Sequence, residues 1–419
     1  MDFRLRSLEP DGGRMIPMRA AVWTCLLAGT AAWGRPALKE TETAAGLANR
    51  GVSDYRQGHY AEAEALLLQA LEMYEKDRPS GRASDLAATL GTLGLVESAQ
   101  GRYAEAERYY ERAVRAGGGV VALSNLAGLY VVEARYAEAE ESYKRALEAL
   151  EEAGSGETGD AAAIRNNLGA IYHSTGRHAP AESLFRQALA IQERVSGPES
   201  PAVASVENNL AGLYSSERAY EQAEVHQRRA LAIQERELGA DHPQVAASLN
   251  NLGSICLAQR RYQEAAAFYE RALQIREKAF GKDNPSAAPV LNNLGELYQR
   301  QGRWSDAEER YRRAQALWER ALGPTHPNVA EVLHNRAVNQ FEMGRRDEAE
   351  TLFRRALGIW EQSGVKESRQ VAVCLANYAE LMRRAGRKSE AAALDERART
   401  ILAGNPGVAG LTVNIAELR

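Results

Sequence analysis

A chain of 419 residues with a net charge of −4 is too long for one ordinary hydrophobic core and carries no basic excess with which to grip nucleic acid. Its 52 Lys and Arg are interspersed with 56 Asp and Glu, the pattern of solvated helix faces and not of a charged patch. Alanine, leucine, glutamate and arginine dominate, which points to an all-α protein. Cys25, Cys256 and Cys374 are odd in number and far apart, so they form neither a disulfide framework nor a zinc spacing. His173 and His178 lie five apart, off the shared helix face that a metal pair needs.

At the start of the chain, Arg14 and Arg19 precede the apolar stretch "AAVWTCLLAGTAAWG", residues 20–34. A basic start, a short apolar run and small residues at its end are the features of a secretory signal peptide. Ala32 and Gly34 stand where the cleavage site would need small side chains. Residues 1–36 are therefore read as a signal-peptide-like or disordered segment. A signal places the mature protein in the periplasm or outside the cell; without it the protein is cytoplasmic. No other stretch is long and apolar enough to span a membrane.

From about residue 40 the sequence repeats. Asparagine recurs at 125, 167, 209, 251, 293, 335 and 377, always 42 apart, with two further units anchored on Asn49 and Thr92. Fourteen residues after each asparagine stands a small residue (Ala139, Ala181, Ala223, Ala265, Ala307, Ala349, Ala391), and seven later another alanine. Nine units cover residues 40–402 and leave a tail at 403–419. Each unit reads as two helices. "PQVAASLNNLGSICLAQ" (243–259) has helical apolar spacing with Pro243 at its first position; "RRY" links it to "QEAAAFYERALQIREKAF" (263–280), and Gly281 stops the second helix. The alanines mark close helix crossings, and stacked neighbours bury what one pair cannot.

These residues resemble the tetratricopeptide repeat. Unit 167–208 places Leu168, Gly169, Tyr172, Gly176, Ala181 and Ala188 at that family's pattern positions. The 42-residue length, the "LNNLG" block and the connectors "LGADHPQVA" (238–246) and "LGPTHPNVA" (322–330) are similar to the kinesin-light-chain subtype. The resemblance implies an α-solenoid of nine helix–turn–helix units in a right-handed superhelix, with one face of each first helix lining a concave groove. No heptad segment precedes the repeats, which together with the signal-like start suggests a bacterial exported protein. Arg336 stands at the usual leucine and Gln340 near the usual tyrosine, so the last units depart from the pattern.

Four central units carry paired asparagines: Asn166 and Asn167, Asn208 and Asn209, Asn250 and Asn251, Asn292 and Asn293. Counted from the Leu-Gly pair at about 100° per residue, the first asparagine falls on the free face and the second between that face and the neighbouring unit. The second, present in eight of nine units, is expected at the seam. The first is expected to form an exposed row able to bond an extended peptide backbone, as the resemblance to kinesin light chain also implies. All eight are the candidate peptide-binding residues. The surrounding floor, Ala170, Gly212, Ser254 and Glu296, then His173, Ser215, Leu257 and Gln299, is small and nearly neutral. Trp304, Trp318 and Trp360 read as packing aromatics. No nucleophile, metal cluster or phosphate loop stands out, so the expectation is a non-catalytic scaffold without cofactor or metal, with a protein or peptide partner and no nucleic acid. Alternatives are a solenoid that assembles edge to edge, or the regulatory subunit of a signalling system. The tail "GLTVNIAELR" (410–419) alternates weakly and reads as a cap or a ligand.

Overall fold

The computed structural model describes residues 43–76, 83–365 and 368–404. The signal-like segment and tail residues 405–419 lie outside them. Two compact units divide the chain, one ending at residue 213 and one beginning at 214. The first pairs α1 (Ala44–Gln57) with α2 (Tyr60–Lys76), α3 (Ala83–Ala99) with α4 (Tyr103–Arg115), α5 (Gly119–Val132) with α6 (Tyr136–Glu152) and α7 (Gly159–Ser174) with α8 (His178–Ser196), and reaches α9 (Pro201–Ser216). The second contains α10 (Tyr220–Leu238), then pairs α11 (Pro243–Ala258) with α12 (Tyr262–Phe280), α13 (Ala288–Arg300) with α14 (Trp304–Leu322), α15 (Pro327–Glu342) with α16 (Arg346–Gln362) and α17 (Arg369–Arg384) with α18 (Lys388–Gly404). Eighteen α-helices and no strand occur among the described residues. The repeat is an all-α solenoid unit throughout, as expected.

The connectors work as helix caps. His242 accepts a hydrogen bond from the Gln244 N–H at 3.2 Å, and His326 does the same for Asn328 at 3.2 Å. Proline follows each at the first helical position, where its missing N–H costs nothing. In "KDNP", Asn284 takes the histidine's place, accepting from the Ser286 N–H at 2.9 Å ahead of a single 3-10 turn, Pro285–Ala287.

The turn inside each pair needs a left-handed residue. Gly176 and Gly302 supply it at φ 76° and 73°, but Arg218 and Arg260 hold φ of 61° and 60° despite carrying side chains. The alanines lie at the helix crossings with no exposed surface: Ala181, Ala188, Ala265, Ala272, Ala307 and Ala314 are all at 0 %. Gly295 lets α14 approach closely, because a Cβ there would come within 2.5 Å of the Tyr311 ring. Trp318 and Trp360 are buried on α14 and α16. Where the pattern lapses, polar pairing replaces apolar packing. Arg336 is nearly buried and bonds Glu308 and Gln315 of α14 at 2.5 Å each.

Candidate functional site

Paired asparagines belong to the first helix of each unit, and hydrogen bonds join them across the seams. In the first compact unit Asn209 Nδ2 donates to Asn166 Oδ1 at 2.8 Å. In the second, Asn293 Nδ2 donates to Asn250 Oδ1 and Asn335 Nδ2 to Asn292 Oδ1, both at 2.9 Å. A fourth rung substitutes histidine: Asn377 Nδ2 faces His334 Nε2 at 3.4 Å. In the three asparagine rungs the sense is the same: the second position donates, and the first position of the preceding repeat accepts, 43 residues away.

This arrangement corrects one expectation. The first asparagines were expected to be exposed, with both amide groups available. Instead, Asn166 and Asn208 are half-buried, Asn250 is 5 % exposed and Asn292 is 0 % exposed. At Asn166, Asn250 and Asn292 a rung ties the carboxamide to the seam with the next repeat. Of the second asparagines, Asn293 is buried, whereas Asn167, Asn209 and Asn251 are half-buried. The floor is likewise less open than its composition suggests. Ser254 Oγ donates to Asn250 O at 3.2 Å and accepts from the Tyr269 hydroxyl at 3.0 Å, and Gln299 Oε1 accepts from the Tyr311 hydroxyl at 2.8 Å. Leu257 is buried, while Ala170, Gly212 and Glu296 are half-buried.

Sequence reasoning missed a second ladder, built from the arginine of each "GR" turn. Arg177 lies over the Tyr172 ring, its guanidinium 4.0 Å from the centroid, and donates to Glu140 of α6 at 2.6 Å. Tyr172 adds its hydroxyl to the same carboxylate at 3.0 Å. Arg135 repeats the device over Tyr130, reaching Glu107 at 2.9 Å; Arg261 reaches Glu224 at 2.5 Å, and Arg387 reaches Glu350 at 2.8 Å. Arg177, with Lys144 and Tyr172, holds the Glu140 carboxyl down to about 2, against its own partial burial. An Arg five residues after a Tyr, at Tyr130/Arg135, Tyr172/Arg177 and Tyr298/Arg303, was the available signal.

His173 and His178 do meet, contrary to the spacing argument, because they lie on different helices and the turn folds one against the other. Their rings stand 5.7 Å apart, edge to face. Burial, helped by His178, pushes the His173 imidazole down to about 4. No cluster of three or more His, Cys, Asp or Glu able to hold a metal occurs among the described residues. Both described cysteines are buried, and desolvation raises the Cys256 thiol to about 11, far from a reactive thiolate. No described helix is long and apolar enough to cross a membrane.

The tetratricopeptide repeat family model matches residues 40–116, 120–194, 202–278, 286–362 and 335–403. The chain belongs to the tetratricopeptide repeat family. Among solved structures it is similar to BtubC (BKLC) from P. vanneervenii, with 29 % identity over 52 % of this chain and 91 % of that one, TM-score 0.48. It is also similar to the apo form of RapI, with 14 % identity over 86 % of this chain and 98 % of that one, TM-score 0.61. A third similar structure is a Rap protein complexed with competence and sporulation factor, with 17 % identity, 90 % and 99 % coverage and TM-score 0.57. At such identity the two Rap structures speak for the fold alone. No curated protein matches the chain.

Proposed function

We propose that this repeat protein is a non-catalytic scaffold that binds an extended segment of a partner protein along the first-helix face of its repeats. The observation that supports this reading is that carboxamides recur at one position of the repeat within each compact unit, Asn166 and Asn208 in the first and Asn250 and Asn292 in the second. Rungs at Asn166, Asn250 and Asn292 hold each amide at a fixed place and orientation. Pre-organised groups bind without the ordering cost that free side chains incur, and each bond to a peptide would contribute about 0.5–1.5 kcal/mol net. The basic, then apolar, N-terminal stretch supports export of the mature chain.

A displayed library of random 12-residue peptides, panned against the full chain, tests the proposal. Recovery of peptides whose binding falls when Asn166 and Asn208 are changed supports the scaffold. Failure to recover any, with light scattering showing concentration-dependent growth of particles, replaces it with edge-to-edge self-assembly.

A further inference from the structure

Four positions that are apolar in neighbouring repeats have turned polar on two helices that pack together, α14 and α15. On α13, Leu294, Leu297 and Tyr298 are buried in apolar packing. At the corresponding places, 42 residues on, α15 carries Arg336, Asn339 and Gln340. On α14, Gln315 stands where α10, α12 and α16 have the buried Leu231, Leu273 and Leu357. The new groups find one another. Arg336 donates to Gln315 Oε1 and to Glu308, and Asn339 Nδ2 donates to the Trp304 carbonyl at 3.0 Å. Both sides of the seam have changed together, so a polar network has taken the place of an apolar contact.

The network does not close. Asn339 and Gln340 are fully covered, yet Asn339 Oδ1 and Gln340 Nε2 have no hydrogen-bond partner. Such groups weigh against the closed seam, because water would satisfy both on opening. The buried Arg336–Glu308 pair also holds two helices together less well than the packed apolar side chains it replaces. The outer clasp is rewired as well. Glu308 is the counterpart of Glu224 and Glu350, which Arg261 and Arg387 hold from 37 residues further on. Arg345 stands at that distance from Glu308 but donates to Gln340 Oε1 at 3.3 Å. Only the second half of α15 is affected. Val329, Ala330, Val332 and Leu333 in its first half are buried as usual.

We infer that the seam between α14 and α15 is a joint, at which α15 to α18 open away from α10 to α14 as one block. The block holds together on its own side: Arg387 and Tyr378 both bond Glu350 of α16, and the Tyr378 ring stacks on Phe353 at 5.5 Å. The links that cross the joint, besides the network itself, include the Asn335–Asn292 rung and the Arg355–Glu319 pair. These are polar and re-form on closing. Closed, the first-helix face runs on from α13 to α15; open, it is interrupted there. The joint stands whether or not that face binds a partner.

Backbone hydrogen exchange of the full chain, resolved helix by helix by mass spectrometry, tests the joint. In the unaltered protein, α15 and α16 should exchange about ten-fold or more faster than α13 and α14, and within about three-fold of α17 and α18. Protection that declines evenly from α13 to α18 is ordinary end fraying and overturns the joint, as does an α15 protected as well as α14. The second measurement restores the apolar residues of the other repeats. Q315L/R336L/N339L/Q340Y should slow exchange in α15 and α16 by about ten-fold or more, with α11 and α12 unchanged within about two-fold. N339L alone, which removes one unpartnered oxygen and leaves the Arg336–Glu308 pair intact, should slow it by about three-fold and decides the matter if the quadruple variant does not fold. Exchange in α15 that is unchanged or faster in the folded variants overturns the joint and makes the polar network a lock.

Discussion

Glu140 is the centre of one arginine clasp, and replacing it with glutamine separates the charge from the shape. The carboxylate accepts from Arg177 at 2.6 Å, Lys144 at 2.7 Å and the Tyr172 hydroxyl at 3.0 Å, and its side chain is 17 % exposed. Its carboxyl is held at about 2 against an ordinary 4.5, a gap worth at most about 3 kcal/mol. Arg177 and Lys144 are both more than a third exposed, so solvent screening reduces this to about 1–2 kcal/mol. A carboxylate lowered in the folded state stabilises fully above 4.5, and that contribution is lost as pH falls through about 2. E140Q should therefore destabilise by about 1–2 kcal/mol at pH 7, with the difference from wild type closing between pH 4.5 and 2. Repeat arrays open piecemeal, so the readout is backbone hydrogen exchange in α6, α7 and α8, not a global melt. A deficit equal at pH 7 and pH 3, or none at pH 7, would refute the clasp.

Three other outcomes follow from the packing. G295A forces a methyl to within 2.5 Å of the Tyr311 ring, so it should destabilise by about 1–3 kcal/mol, seen as faster exchange in α13 and α14. R218G and R260G relieve left-handed residues and should stabilise by about 0.5–1 kcal/mol once glycine's extra unfolded freedom is counted, read as a higher urea midpoint. His173, lowered to about 4, stays neutral in the folded chain while the unfolded chain takes up its proton near 6.5. Stability should thus fall as pH drops from 6.5 to 4, and H173Q should flatten that part of the pH profile measured by urea titration.

Much of the fold was legible because its constraints are local and steric. Ala181 and Ala188 mark helix crossings where nothing larger fits, and Pro243, Gly281 and the "RRY" link bracket α11 and α12 to within a residue or two. What each asparagine bonds was not legible, because its partner lies 43 residues away and because a carboxamide looks the same in sequence whichever way it is turned. A separation of 37 residues likewise hid the Arg177–Glu140 clasp. His173 and His178 were misjudged by counting along one helix when the turn places them on two. Asn292 was expected in solvent, yet its rung to Asn335 draws it under cover.

The claim that the amide row is the binding face meets its most direct test in Asn166, whose rung survives substitution by aspartate. N166D keeps an oxygen to accept from Asn209 Nδ2, so melting should stay within about 2 °C of wild type, a change of less than about 1 kcal/mol. The Asn166 N–H donors are lost and a negative charge stands in their place. Titration calorimetry with the recovered 12-residue peptide should then show at least ten-fold weaker binding for N166D. Equal affinity for the two proteins, with equal melting, would contradict the account.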